Sequence, residues 1–188
     1  MYSWPVYVII FVLSFLLFYA VFEIKNNYVA SEKLTVFICG LEVNKNDKYE
    51  EISNRMNELG IKQLNLDCYD YQSKNYPTIL AVKGYYGSDI LILDEDSYAL
   101  WKTGGSPFDI SDEYLAEVTN KSVLRCGDIE HLNSLKIYDY EDTDYNLMIN
   151  QNLINFDGLN SNFYLVINNR SVHNDDGIIK EFIKLLLK

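Results

Sequence analysis

The chain has 188 residues, with 27 acidic and 16 basic side chains, a formal charge of −11 and an isoelectric point near 4.5. This balance argues against nucleic-acid binding, which calls for clustered Lys and Arg, and against peripheral binding to anionic lipid. The three cysteines, Cys39, Cys68 and Cys126, are an odd number with no C-x-x-C pair, so neither a disulfide framework nor a structural zinc site is expected.

An uncharged apolar run from Tyr2 to Phe22 opens the chain. Because a bilayer core about 30 Å thick needs about 20 helical residues, we predict an uncleaved transmembrane anchor over 1–22, in contact with membrane lipid. Two alternatives stay open. A cleaved signal peptide would have a basic n-region and a small-x-small cleavage site, which are missing here. A buried core helix would have a polar stripe, which is also missing.

Residues 23–33 are predicted to form a polar juxtamembrane linker, and residues 34–188, about 155 in number, a single domain with its own core. Lys25 and Lys33 flank the apolar run on this side, and no Lys or Arg precedes it. The positive-inside rule alone would therefore place the domain in the cytoplasm.

The first half of the domain alternates strand and helix patterns. The first strand pattern is almost continuously apolar, which is typical of a strand buried on both faces, whereas the second alternates apolar and polar residues, which favours a position near a sheet edge. This order implies right-handed crossovers and a parallel sheet. The predicted elements are a strand at 34–39, a helix from Asp47 to Gly60, a strand at 64–68, a helix from Pro77 and a strand at 89–93.

The second half is less regular but ends in two clear patterns. The run FYLVI at 163–167 predicts a strand, and the apolar stripe after it predicts a helix capped by Asn174 or Asp175. The other predicted elements are a helix at 96–102, a helix capped by Ser111, strands at 135–138 and 145–149, and an acidic turn at 139–144.

Parts of this pattern resemble the type II extracytoplasmic solute-binding proteins, and most of all their sugar-binding subgroup. TVFICG, followed by a helix, a strand, a helix and SDILILDEDSY, is similar to the first lobe of that family. FYLVINNRSVHNDDGIIKEFIKLLLK, with its N-x-x-S-x-H spacing, resembles the closing strand and helix, and PFDIS resembles a mid-chain turn. The match covers about half of the domain.

The resemblance implies an α/β fold: an N-terminal transmembrane helix followed by one βαβαβ-type three-layer domain like a single lobe of a type II periplasmic binding protein. Family members have two lobes and usually more than twice this length, so the chain looks like a reduced, single-lobed relative. The family works outside the cytoplasmic membrane. We therefore expect a single-pass protein of the cell membrane with an extracytoplasmic domain, against the positive-inside indication.

Candidate site residues follow from the strand order. Ligands of open parallel sheets bind beyond the carboxyl ends of the strands. Carboxylates there could accept bonds from sugar hydroxyls, and aromatic rings could stack on sugar faces; carboxylate oxygens could also hold a cation. Alternatively, these are solvated loop residues of an acidic protein. The candidates are Glu42, Asp70, Tyr71, Asp94, Asp96 and Trp101.

No catalytic motif is present: the chain lacks a nucleophile elbow, a zinc-protease helix, a P-loop and a dinucleotide fingerprint. We expect no catalysis, no metal and no cofactor. His131 and His173 are interpreted as hydrogen-bonded structural groups.

The functional hypothesis is a membrane-anchored binding or interaction module related to the solute-binding proteins of ABC transporters, with a membrane transporter as the natural partner. The alternative is a structural or assembly subunit of a membrane protein complex, in which the ligand site is vestigial.

Overall fold

The fold is a mixed five-stranded sheet with helices on both faces. A computed structural model describes residues 4–26, 29–105, 108, 110–111, 114, 117–118, 134–141, 153–156 and 159–187. The strands are β1 (Lys33–Cys39), β2 (Glu42–Val43), β3 (Gln63–Tyr69), β4 (Ile90–Asp94), β5 (Leu135–Tyr138), β6 (Ile154–Asn155) and β7 (Phe163–Ile167). The helices are α1 (Trp4–Asn26), α2 (Asp47–Glu58), α3 (Tyr76–Ile79), α4 (Glu95–Lys102) and α5 (Ile178–Leu186).

The sheet order is β3-β1-β4-β7-β5, and β2 and β6 form a separate antiparallel ribbon. The pairs β1–β3 and β1–β4 are parallel, as the alternating pattern predicts. The sheet as a whole is mixed, because β7 pairs antiparallel with both β4 and β5. β3 lies at an edge of the five-stranded sheet, which confirms the prediction from its alternating sequence.

The prediction of a transmembrane anchor over 1–22 is wrong. Within the described residues, no helix combines the length and the apolarity that crossing a bilayer requires. The single-pass membrane localisation, which depended on this anchor, is corrected with it. α1 also continues to Asn26, past the predicted linker boundary.

β1 is the centre of the core, since its side chains are buried on both faces of the sheet. Val36 and Ile38 face the layer formed by α2 and α5, while Phe37 and Cys39 face α3 and α4. Each fully buried aliphatic side chain contributes about 1.5–3 kcal/mol of hydrophobic stabilisation. This double burial explains why the sequence of β1 is almost continuously apolar.

Several helix boundaries differ from those predicted. Asn46, not Asp47, caps α2, and its side chain accepts bonds from the backbone N–H groups of Lys48 and Tyr49. α5 begins after Gly177, which has a φ of 78°, instead of after Asn174 or Asp175. α3 continues as a π-helical turn over Leu80–Tyr85.

The strand predicted at 145–149 lies outside the described residues. Of the helix predicted after Ser111, the capping bond from the Tyr114 N–H to the Ser111 hydroxyl is present at 3.1 Å.

The connector between β7 and α5, residues 168–177, is tied to the amino ends of β1 and β4. Asp89 accepts a bond from the backbone N–H of Thr35 at 2.8 Å and one from the Ser171 hydroxyl at 2.6 Å. The Asn168 side chain donates to the carbonyls of Tyr85 and Ser88. The N-x-x-S-x-H motif therefore stabilises the amino ends of β1 and β4 through hydrogen bonds.

His173 completes this connection through both of its ring nitrogens. Its Nδ1 lies 2.6 Å from the Asp176 carboxylate and its Nε2 lies 2.8 Å from the Lys33 carbonyl. A carbonyl only accepts, and an ionised carboxylate only accepts, so both ring nitrogens donate. Burial lowers the pKa of His173, but the bonds to Asp176 and Lys33, together with the charge of Asp89, outweigh burial and raise the pKa above its ordinary value. The interpretation of His173 as a structural residue is confirmed; His131 lies outside the described residues.

The first prediction concerns the pH dependence of this bond. Because the pKa is raised on folding, the His173 cation stabilises the fold fully below the pKa of an unfolded His, near 6.5, and this stabilisation is lost as the pH rises through the folded pKa. His173→Gln should lower the free energy of unfolding by about 1–3 kcal/mol at pH 6. The difference from the wild type should shrink at pH 8.5. Urea denaturation at the two pH values measures both differences.

Asp176→Asn serves as the control, since it keeps the histidine but removes its carboxylate partner. In this variant the loss of stability should begin at a lower pH than in the wild type. A difference between wild type and His173→Gln that stays constant from pH 6 to 8.5 would show that folding does not raise the pKa of His173, and a difference that grows over this range would show that folding lowers it.

Candidate functional site

The sheet has a topological switch point between β1 and β4. The chain leaves β1 for β3 on one side and then crosses to β4 on the other side of β1. The connections after β1 and β4 therefore diverge, one toward α2 and the other into α4, which lie on opposite faces of the sheet. In open α/β sheets, ligands bind in the crevice that this divergence leaves at the carboxyl ends of the strands.

Four polar side chains lie together at this point, and we call them the switch-point cluster: Cys39, Tyr76, Asp94 and Ser97. The Cys39 thiol donates to Asp94 Oδ1 at 3.3 Å and lies 3.2 Å from the Ser97 hydroxyl. Asp94 also accepts a bond from the Ser97 backbone N–H at 3.0 Å, which caps α4. Packing holds the cluster in place, because Cys39 and Tyr76 belong to the same buried group as Phe37.

The hydroxyl of Tyr76 meets the geometry of no hydrogen bond within the described residues, although the residue is only 5 % exposed. Burial raises the pKa of Tyr76 far above its ordinary value; the neighbouring Cys39 and Asp94 add to the shift, and the Ser97 side chain opposes it. The hydroxyl therefore lies close to Cys39 and Ser97, and it is a neutral phenol at any physiological pH. A buried polar group without a well-formed hydrogen bond costs about 1–3 kcal/mol.

Burial favours the protonated form of the Cys39 thiol. Burial raises the pKa of the Cys39 thiol to about 11, and the negative charge of Asp94 contributes to this rise. The Ser97 hydroxyl lowers the pKa, but by less than burial raises it. Only the thiolate attacks electrophiles or binds metals. The thiol therefore acts as a hydrogen-bond donor to Asp94.

Gly40 follows Cys39 in the chain and lies against the ring of Tyr71. Gly40 has a φ of 62°, and a Cβ atom there would lie 2.5 Å from Cδ1 of Tyr71. Only glycine permits both the left-handed backbone and this approach of the ring. Tyr71 is 48 % exposed, so its other surface is open to a ligand.

Three further candidate residues are exposed. Asp70 lies beside Tyr71 at the end of β3 and accepts a bond from the Gln72 N–H at 2.9 Å. Asp96 lies in the exposed first turn of α4. Glu42 lies in the β2–β6 ribbon opposite Asn155. The proposed binding roles of these residues stay predictions.

Asp94 and Trp101 are placed differently from the sequence expectation. Both were expected at an open rim, but Asp94 is 8 % exposed and caps α4, and Trp101 is 2 % exposed. The Trp101 ring packs near Tyr98, and a Cβ on Gly105 would lie 2.2 Å from it. Trp101 has no open face for a sugar ring. These two residues lie in α4 or at its start, where the helix turns one face inward.

The rim around the cluster is strongly acidic. Asp139 and Glu141 follow β5, which runs parallel to β4, so they lie at the same edge as Glu95 and Asp96. Asn162, which precedes β7, donates to Glu95 Oε2 at 3.3 Å. Among the described residues, no group of three or more His, Cys, Asp or Glu side chains converges as metal ligands. The edge therefore presents separate hydrogen-bond acceptors.

Sequence reasoning missed Tyr76, Ser97 and Asn162. Tyr76 precedes Pro77 at the start of a helix, and nothing in that pattern indicates that its hydroxyl is buried at a strand end. Ser97 has the spacing of a residue three after a cap, so the cap at Asp94 could have been predicted. Asn162 becomes visible only through the antiparallel pairing of Asp94 with Phe163.

The second prediction concerns the thiols of Cys39 and Cys68. Because Cys68 pairs with Ile38, it lies on the same face of the sheet as Ile38, whereas Cys39 lies on the opposite face. Cys68 is exposed and Cys39 is buried. Iodoacetamide at pH 7.5 should label Cys68 in the folded protein and Cys39 only after unfolding. Peptide mass spectrometry reads each cysteine separately. Labelling of Cys39 at the rate of Cys68 would contradict the buried cluster.

No protein-family model, no curated protein and no solved structure matches this chain.

Proposed function

We propose that this chain is a binding module without catalytic activity, and that it holds a small hydroxyl-rich ligand of the sugar or polyol class at the switch point. The observation that carries the proposal is the Tyr76 hydroxyl, which is buried beside Cys39, Asp94 and Ser97 and lacks a well-formed hydrogen bond within the described residues. A ligand hydroxyl is both donor and acceptor, so it can complete this cluster without introducing a charge.

The surroundings of the cluster support this ligand class. Tyr71 offers an exposed ring on which the apolar face of a sugar can stack. Glu95 and Asp96 offer exposed carboxylates that accept bonds from hydroxyl groups. The same negative charges disfavour an anionic ligand.

The resemblance to sugar-binding extracytoplasmic proteins stays a prediction, as does a transporter partner. It is consistent in chemistry with a ligand of this class at this edge. A single lobe contacts a ligand from one side only, so we expect weaker binding than in a closed two-lobed clamp.

The third prediction uses the Tyr76 hydroxyl. Tyr76→Phe should raise the free energy of unfolding of the unliganded protein by about 1 kcal/mol or leave it unchanged, since it removes a buried polar group that makes no well-formed bond. The same change should weaken sugar binding. Thermal unfolding with and without 100 mM mono- and disaccharides measures both effects. At a ligand concentration of about 100 times Kd, the wild type should gain about 2.7 kcal/mol, and the melting temperature should rise by about 5–10 °C.

Asp94→Asn provides a second variant, because asparagine also caps helices well and so keeps α4 while removing the charge. It should also reduce the sugar-induced shift. Tyr49→Phe is the matched control, since Tyr49 lies in α2 and its hydroxyl bonds to the Leu64 carbonyl at 3.4 Å on the other face. Failure of every saccharide to raise the melting temperature, or a large loss of stability in Tyr76→Phe, would overturn the proposal.

A second candidate function, an assembly subunit, is favoured by the edge strand. β3 pairs only with β1 within the described part of the sheet, and Asp67 and Cys68 are exposed along it. An edge strand presents backbone groups that can pair with a strand of another chain.

The fourth prediction tests this candidate through Cys68. If another copy or a partner pairs with β3, labelling of Cys68 should slow as the complex forms. Sedimentation velocity at 1 and 100 µM, combined with the Cys68 labelling rate, measures this. A single monomeric species with a constant labelling rate would remove self-assembly through β3.

A further inference from the structure

Two adjoining hollows start at the amino edge of the sheet, and the larger one extends along the face of β1 and β3 as far as Phe37 and Tyr69. They have volumes of about 360 and 230 Å³. Lys33, Thr35 and Gly87 line both, so the two form one continuous groove. Its combined size falls within the range of small-molecule sites. We call it the amino-edge groove.

Three cations line the amino-edge groove: Lys33, Lys83 and Arg170. Within the described residues none of the three makes an ion pair. The Arg170 guanidinium lies 4.6 Å from the centre of the exposed Tyr86 ring. Unpaired cations gathered at one place are unexpected in a chain with a net charge of −11.

Two carboxylates, Asp67 and Asp89, line the groove together with the three cations. Asp89 uses both oxygens internally, accepting from the Thr35 N–H and from the Ser171 hydroxyl. Asp67 is exposed on the β3 side of the groove. The three lining cations therefore exceed the two lining carboxylates by one charge, although the protein is acidic.

We propose that the amino-edge groove binds a small polyanion carrying phosphate or carboxylate groups. Arg170 has the planar fork that such groups accept in a bidentate manner, and Lys33 and Lys83 supply further charge. Thr35 and Asn65 add neutral polar groups along the floor. A dianion or trianion compensates the mutual repulsion of three cations, which a neutral ligand does not.

The fifth prediction is a titration of the full chain with inorganic pyrophosphate and with citrate at constant ionic strength, followed by calorimetry. Arg170→Gln and Lys83→Gln should each weaken binding about tenfold or more, the loss expected for one charge-assisted hydrogen bond. Lys74→Gln removes an equal charge at the opposite edge of the sheet and should have no effect. Preference for pyrophosphate over citrate, or the reverse, distinguishes phosphate from carboxylate ligands.

Asp67→Asn tests the sign of the effect, because it removes a repelling carboxylate and should tighten binding several-fold. Asp47→Asn, in the exposed first turn of α2, is its matched control. Asp94→Asn should leave pyrophosphate binding unchanged, which separates this groove from the proposed sugar site. Absence of binding by both anions at millimolar concentration, or equal weakening by Lys74→Gln, would overturn the proposal.

Discussion

The pairing of β1 between β3 and β4 is the constraint on which the other features depend. Because β1 is buried on both faces and hydrogen-bonded on both sides, its register fixes the positions of its neighbours. It places Cys39 beside Asp94 at one end of the sheet, and Lys33 and Thr35 beside Asp89 at the other. A shift of one residue would exchange the two faces and separate both sets of side chains.

The two edges of the sheet differ in charge, because the groups that can pair with charged side chains differ between the two edges. At the carboxyl edge the first turn of α4 presents N–H groups, which favour acidic residues such as Glu95 and Asp96. At the amino edge Asp89 is used twice in internal bonds, and Asp176 contacts His173. The three cations that line the groove make no ion pair within the described residues, so a net-negative chain still contains one positive groove.

The strands of the five-stranded sheet and most helices could be predicted from the local sequence, because burial of one or both faces of an element produces a regular pattern of apolar residues. Residues 34–39 and 163–167 show this, since their predicted bounds differ from β1 and β7 by at most one residue. The direction of β7 has no such signal. An apolar strand has the same sequence pattern in a parallel and in an antiparallel pair. The length of the connection before β7 permits either strand direction.

The membrane prediction failed for a related reason. The apolar run in the sequence indicated a membrane span, but among the described residues no helix has the length and apolarity to cross a bilayer. The candidate site was predicted only at its rim. Asp70 and Tyr71 follow a strand end and could be located by that rule, whereas burial of Trp101 depends on packing against Tyr98 and the close approach of Gly105.

The His173 cation connects fold stability to the amino-edge groove. Its ring holds the backbone of Lys33, and Ser171, two residues before it, holds Asp89. Arg170 belongs to the same connector, so the bonds that stabilise the sheet end also position the guanidinium. Deprotonation of His173 would remove a bond from the Lys33 carbonyl and the positive charge of the ring. A bound anion favours the charged ring, and by thermodynamic linkage the charged ring favours the anion to the same extent. If the groove binds an anion as proposed, the effect of pH on anion affinity and the effect of the anion on the pKa of His173 therefore measure the same coupling free energy.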